Sequence, residues 1–269
     1  MSFTNTIAIL GGGNIGMAIA QGLVNSGAYK PENIIITRKK SDLPKNCNEG
    51  GFVFQESNAD AVSKSRIVVI AVVPLISQSV LNEIAPAITT NHSIVSIVTG
   101  VTIAEISSII KQDVCIARAM PNTAIKIQES MTCIAGNKTG SKQFEEIVDL
   151  FNKLGKTLVI DEDFILSATA LGSCGIAFFL RSIRAASQGG TQIGFHAEEA
   201  QLIAAQTAKG AAELLLRSHT HPEDEIDKVT TPRGITIAGL NEMEHNGFSS
   251  ALIKGIVKSY DKATQKKQD

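Results

Sequence analysis

Up to about Ile160 the chain alternates short, continuous apolar runs with longer stretches whose apolar positions recur at helical spacing. The runs are Thr6-Ile7-Ala8-Ile9-Leu10, Ile34-Ile35-Ile36-Thr37, Ile67-Val68-Val69-Ile70-Ala71-Val72, Ile94-Val95-Ser96-Ile97-Val98, Cys115-Ile116-Ala117 and Leu158-Val159-Ile160. A strand with one wet face alternates apolar and polar residues, whereas a strand covered on both faces is apolar throughout. The runs therefore predict a parallel sheet with helices on both sides, a doubly wound Rossmann-type α/β domain over residues 1–161. After Asp161-Glu162-Asp163 the runs stop. Two long helical stretches follow, Phe164 to Gln188 and His196 to Ser218, and residues 162–269 are expected to form an all-helical domain. The second stretch carries Ala197, Ala200, Ala204, Ala205, Ala208, Ala211 and Ala212, which are not confined to one face; a helix small and apolar nearly all round should be buried. So small a domain has little interior to offer it, and burial against a second copy of the chain is predicted. Pro222, Pro232 and Asn246-Gly247 punctuate the shorter segments beyond, and Lys262 to Asp269 reads as a frayed polar tail.

Composition narrows the class. The 269 residues suffice for one or two domains with a sizeable core, 43% are apolar, and the formal charge is −1. Neither disorder nor a nucleic-acid footprint is indicated, which leaves small molecules as partners. Cys47, Cys115, Cys133 and Cys174 show no CxxC spacing and three sit in apolar runs, so reduced structural thiols and a cytoplasmic location are expected. No apolar run approaches the ~18 residues of a membrane span; Ile67 to Val73 is stopped by Pro74. No secretory leader is recognised at the N-terminus, so neither export nor insertion is expected. His92, His196, His219, His221 and His245 lack ligand spacing, and no metal is predicted.

Gly11, Gly13 and Gly16 stand directly after the first strand run and before the helical pattern Ile15 to Val24. Gly11 permits the tight turn, Gly13 lets backbone approach a pyrophosphate, and Gly16 allows close packing of helix on strand, with Asn14 and Ile15 in the same turn. An NAD site wants a carboxylate at the end of the second strand, for the ribose 2′-hydroxyl. This chain has Thr37-Arg38-Lys39-Lys40 there, and Arg38 suits a 2′-phosphate, so NADPH is expected as coenzyme with NADH the weaker donor. Asn58 and the turn Ala71-Val72-Val73-Pro74 are expected to close the nucleotide cleft, since loops at the carboxyl ends of parallel strands line it.

Arg118-Ala119-Met120-Pro121-Asn122-Thr123, Thr169-Ala170-Leu171-Gly172-Ser173-Cys174-Gly175 and Thr231-Pro232-Arg233-Gly234-Ile235-Thr236-Ile237-Ala238-Gly239-Leu240 together resemble the pyrroline-5-carboxylate reductase family. Gln206 to Ala212 and Leu240 to Gly247 extend the likeness, which runs from about Ile7 to Tyr260 in the family's order. The resemblance implies NADPH-dependent reduction of a cyclic imine carboxylate, 1-pyrroline-5-carboxylate, to L-proline. It implies a helical domain that interleaves with a partner, in dimers that assemble further, commonly to decamers. By the same resemblance the nicotinamide lies near Met120, Pro121 and Asn122. Gly172, Ser173, Cys174 and Gly175 form a carboxylate-binding loop just ahead of a helix, and Thr236 stands beside the imine nitrogen, with Arg233 and Gly234 in the substrate set.

The chain departs from the family where substrate is held. The usual Ser-Gly-Ser-Gly-Pro is Gly172-Ser173-Cys174-Gly175-Ile176, and the usual Pro-Gly-Gly-Thr-Thr is Pro232-Arg233-Gly234-Ile235-Thr236. Arg233 either strengthens carboxylate binding or fills the pocket. Thr236 has a plain helix N-cap as its competing reading. An NADP-binding paralogue of weak activity, or one retuned to another cyclic imine, is the alternative function. A β-hydroxyacid dehydrogenase is disfavoured, because Ile176 to Gln188 contain Arg181 and Arg184 but no lysine to serve as acid and base.

Overall fold

The computed structural model describes residues 6–39 and 49–265. Lys40, Cys47 and the end of the polar tail, 266–269, lie outside the described residues. The chain divides into two compact units, one reaching to Cys174 together with the chain from Ser259 onward, the other Gly175–Lys258.

The first unit is built on one eight-stranded sheet in the order β3-β2-β1-β4-β5-β6-β7-β8. Its strands are β1 (Ile7–Leu10), β2 (Ile34–Thr37), β3 (Val53–Gln55), β4 (Ile67–Ile70), β5 (Ser93–Ser96), β6 (Cys115–Met120), β7 (Ser130–Gly136) and β8 (Gly155–Val159). β1 to β6 are parallel, β7 runs antiparallel to β6, and β8 is parallel to β7. The apolar runs form strands because both faces are covered. Ile7, Ile9, Ile67 and Val69 point into one core with Ile19 and Leu23 of α1 (Asn14–Asn25) and with Phe144 and Phe151 of α5 (Lys142–Asn152). Ala8, Leu10, Val68 and Ile70 point into the other, against α2 (Asn58–Ser63), α3 (Pro74–Ile84) and α4 (Ile103–Ile110). Burial of an isoleucine or leucine in either core contributes roughly 1.5–3 kcal/mol, so two faces of such residues stabilise the sheet.

Two strands escape the run-based reading, and each has a physical reason. β3 is a three-residue edge strand with only partial burial. β7 hides because its inward positions are polar: Ser130 and Thr132 are buried while Met131 between them is exposed. β8 begins at Gly155, three residues before the run Leu158 to Ile160, and is largely exposed.

The helical region begins with α6 (Ile165–Ala168), passes through a π turn at Thr169–Ser173 and continues as α7 (Gly175–Gln192). α8 (Ala197–Ser218), α9 (Pro222–Lys228), α10 (Ile235–His245) and α11 (Phe248–Gln265) follow. The tail positions 262–265 are helical, as the end of α11. Within the second unit α7 and α8 approach closely where Gly190 faces Ala200; a Cβ on Gly190 would stand 3.0 Å from that of Ala200. Ala200 is the single buried residue of α8, whereas Leu202, Ile203, Leu214 and Leu216 are exposed in the isolated chain. Within the helical stretch Glu162–Gln192 an 18-residue window reaches a mean hydropathy of 1.7 and is, by length and composition alone, long and apolar enough to cross a membrane. This corrects the expectation that no stretch is. The sequence reading stopped at every polar residue, whereas a helix of this average tolerates serine, threonine and glycine among its apolar residues.

Candidate functional site

The strand order reverses between β1 and β4, whose carboxyl ends open the crevice in which such sheets hold ligands. Gly11 leaves β1 at φ +107°, and a Cβ there would lie 2.6 Å from the Ala71 carbonyl oxygen at the end of β4. Gly16 lets α1 rest on the turn, since a Cβ would run into the carbonyl oxygen of Gly11. Gly13 is the N-cap of α1; it offers no side-chain cap, no acidic residue follows in the first turn, and the space beyond its Cα is open. The first-turn amides are thus left without intrahelical acceptors at the positive end of the helix, which suits a pyrophosphate.

In front of this turn lies a cleft of about 860 Å³. Of the expected coenzyme residues, Gly11, Gly13, Arg38, Asn58, Ala71 and Val72 line it. Asn14, Ile15 and Gly16 form the first turn of α1, and Pro74 opens α3. Val73, in the turn expected to close the cleft, lines it too, and lining residues left out of the set include Gly12, Thr37, Lys39, Glu56 and Ile76.

A chain of hydrogen bonds sets the wall of the cleft beside the glycine turn. The Gly11 amide donates to Thr37 Oγ1 (3.2 Å), and the Thr37 hydroxyl donates to Asn58 Oδ1 (2.7 Å). Asn58 donates through its backbone N–H and its Nδ2 to the two oxygens of Glu83, at 2.9 and 2.7 Å. This fixes the amide orientation of Asn58 and ties α2, α3, β2 and the glycine turn together. Arg38 lays its guanidinium on the turn: Nε donates to the Gly12 carbonyl at 2.6 Å, and Nη2 donates to the same oxygen.

At the end of β6 Met120 is buried and Pro121 and Asn122 lead into the next turn. The Asn122 backbone N–H donates to Ser130 Oγ (3.1 Å), its Oδ1 accepts from the Ala124 amide (3.0 Å), and its Nδ2 donates to the Gly172 carbonyl (3.2 Å). That last bond brings the expected nicotinamide and carboxylate segments together. Ser130 was missed for the same reason as β7: it is a buried polar residue on a strand without an apolar signature. Nearby, Arg118 is buried and its Nη1 donates to Glu162 Oε1 (3.0 Å), which also accepts the Ile103 amide (2.8 Å). Among the described residues Arg118 Nε and Nη2 have no hydrogen-bond partner.

Gly172 to Gly175 are not a loop ahead of a helix. Gly172 and Ser173 belong to the π turn, Cys174 caps it with its amide donating to the Thr169 carbonyl at 2.8 Å, and Gly175 begins α7. π turns of this kind add one residue to a helical turn and shift the groups that follow, often at functional sites.

In the second unit Gly234 caps α10 and Thr236 is its second residue, exposed. The competing view of Thr236 as the N-cap is therefore corrected: its hydroxyl is not used to close the helix end. Arg233, exposed, takes φ +59°, a left-handed backbone that glycine adopts without strain. Burial pushes the thiols of Cys115 and Cys133 up from the usual range. For Cys115 a Ser141 hydrogen bond and the charge of Lys138 act more weakly in the opposite direction. Among the described residues no three His, Cys, Asp or Glu side chains gather as metal ligands would.

A doubly wound sheet with a glycine-turn nucleotide cleft, followed by a helical region, defines the class as a dinucleotide-dependent oxidoreductase of two-domain plan. Comparison with known proteins narrows it. Residues 6–100 match the family described as NADP oxidoreductase, coenzyme F420-dependent, and residues 162–266 match pyrroline-5-carboxylate reductase dimerisation. The chain is 49% identical to pyrroline-5-carboxylate reductase 2 of Dictyostelium discoideum, over 96% of this chain and 92% of that protein. It is 50% identical to reductase 1 of the same organism, over 99% of this chain, and spans about half (51%) of that relative's length. A Plasmodium falciparum pyrroline carboxylate reductase crystallised with NADP bound superposes with a TM-score of 0.88 at 27% identity, covering 98% of this chain and 99% of that one. The chain belongs to the pyrroline-5-carboxylate reductase family.

Proposed function

We propose that the protein reduces 1-pyrroline-5-carboxylate to L-proline, the last step of proline biosynthesis, with NADPH preferred and NADH a weaker donor. The observation that carries this reading is the cleft itself, in which an uncapped α1 end and the cations Arg38 and Lys39 stand where a 2′-phosphorylated dinucleotide would lie. Bound NADPH supplies the hydride for the imine carbon. The chain's own residues do the rest. Amides of the first α1 turn bind the pyrophosphate, Arg38 binds the 2′-phosphate, and Asn58, held by Glu83, supports the ribose, with Ala71, Val72 and Pro74 closing the cleft. Met120, Pro121 and Asn122 hold the nicotinamide end. Gly172, Ser173, Cys174 and Gly175, with Arg233 and Gly234, take the substrate carboxylate, and Thr236 donates a hydrogen bond to the imine nitrogen and relays the proton that leaves the amine neutral.

The coenzyme domain is taken as residues 1–161 and the helical one as 162–269, a division supported by the dimerisation match beginning at 162. That match also supports reading the apolar stretch Glu162–Gln192 as subunit contact rather than membrane span. The proposed assembly is a dimer that builds to a decamer, in the cytoplasm. The test is NADPH oxidation by purified protein with pyrroline-5-carboxylate, beside piperideine-type imines and a reaction without imine. Turnover fastest with the five-membered imine supports the proposal; turnover only with a six-membered imine, or none, overturns it.

A further inference from the structure

One carboxylate lines the proposed adenosine end of the cleft, and a second stands behind its wall, bonded to Asn58. Glu83 has both oxygens occupied by Asn58. Glu56 lines the same cleft, is exposed, and among the described residues makes no hydrogen bond or ion pair. Its place follows from strand register. Thr37 pairs with Gln55, and the Arg38 amide extends that ladder to the Gln55 carbonyl at 3.1 Å. The next residues on the two neighbouring strands are therefore Arg38 and Glu56. The Arg38 guanidinium turns toward Gly12, and Glu56 keeps its oxygens available.

We propose that Glu56 is a coenzyme-specificity residue, whose carboxylate accepts hydrogen bonds from the adenosine ribose hydroxyls of NADH and opposes the 2′-phosphate that Arg38 and Lys39 attract. A carboxylate is an acceptor only, matched to a diol with two O–H donors, whereas a phosphate dianion offers it no proton and repels it. Guanidinium has the opposite preference. NAD sites of doubly wound proteins carry their acid at the end of the second strand; here the acid enters from the strand beside it, leaving the second strand's own position to arginine. The cleft is thereby built to admit both coenzymes, with their ratio set by two opposed side chains.

The inference rests on the coenzyme reading of the cleft but not on the imine chemistry, so its test uses binding. Affinities for NADP⁺ and NAD⁺, and for 2′,5′-ADP and AMP, are measured by calorimetry on the full-length protein and on Glu56→Gln, Glu56→Lys and Asp60→Asn. Asp60, exposed in the first turn of α2 and outside the cleft lining, controls for loss of charge alone. Glu56→Gln should weaken NAD⁺ by about tenfold while NADP⁺ binds as well or better, and Glu56→Lys should widen the gap. Asp60→Asn should leave the ratio alone. An unchanged NADP⁺ to NAD⁺ ratio in both Glu56 variants, or an equal shift in Asp60→Asn, overturns the role of Glu56. Wild-type protein that binds neither dinucleotide overturns the coenzyme reading with it, whereas failure to reduce the imine leaves the binding result standing.

Discussion

Thr236 sits one residue inside α10 with its hydroxyl exposed, and Gly234 already caps the helix. Replacing it by alanine therefore costs no cap, and alanine's higher helix propensity should raise stability by up to roughly 0.5 kcal/mol. If the hydroxyl assists proton transfer to the imine, turnover should fall by up to about a hundredfold with NADPH affinity unchanged. Steady-state kinetics beside a melting curve decide it: a variant as active as wild type removes Thr236 from the chemistry. Cys115 makes a prediction in pH. Burial raises its thiol, so the folded chain keeps this proton to higher pH than the unfolded chain does. The stability so gained is complete below the ordinary thiol range and is lost as pH rises through the folded value. Denaturation midpoints should hold through neutral pH and decline above about 8.5, and Cys115→Ala should flatten that decline. An identical pH profile in the variant would show that the thiol contributes nothing.

The parallel strands were legible because continuous isoleucine and valine runs have one economical explanation, cover on both faces. The glycine turn was legible because its three glycines sit between a run and a helical pattern. β7 was not, since Ser130 and Thr132 face inward and break the apolar signature while serving Asn122. Glu56 and Glu83 were invisible for a different reason: strand register brings Glu56 to the cleft and helix packing brings Glu83 to Asn58, and no local spacing encodes either. The π turn was expected as a loop on the family resemblance alone, whereas the helical spacing read from Phe164 to Gln188 already ran through it. The start of this helical region also has a buried ionic tie, from Arg118 on β6 to Glu162. Glu162→Gln leaves a buried guanidinium without its counter-charge, and since Glu162 is partly exposed the loss should sit near the low end for such pairs, roughly 3 kcal/mol. Urea denaturation measures this. The paired replacement Arg118→Met with Glu162→Gln should recover most of it, because it removes the uncompensated charge while glutamine keeps an acceptor for the Ile103 amide; failure to recover would mean that the tie does more than balance charge.

The sheet unit encloses its own cores, but the helices of the second unit leave Phe179, Leu180, Leu202, Leu214 and Leu216 half or more exposed. Together with the dimerisation match, this makes the single chain an incomplete folding unit. Sedimentation at working concentration should give a dimer or larger, with an interface of the obligate kind, commonly above about 2,000 Å². Dilution should lower the melting temperature, as linkage requires. A folded, active monomer would refute the assignment of these faces. Such dependence also makes the fate of one polypeptide a property of the mixture it is made in. Where a cell produces two versions of the chain, one changed only at the glycine turn, the changed version would carry the same helical faces and compete for places in shared assemblies. Its defect then spreads by the arithmetic of subunit sampling, reaching more assemblies than its share of the gene copies.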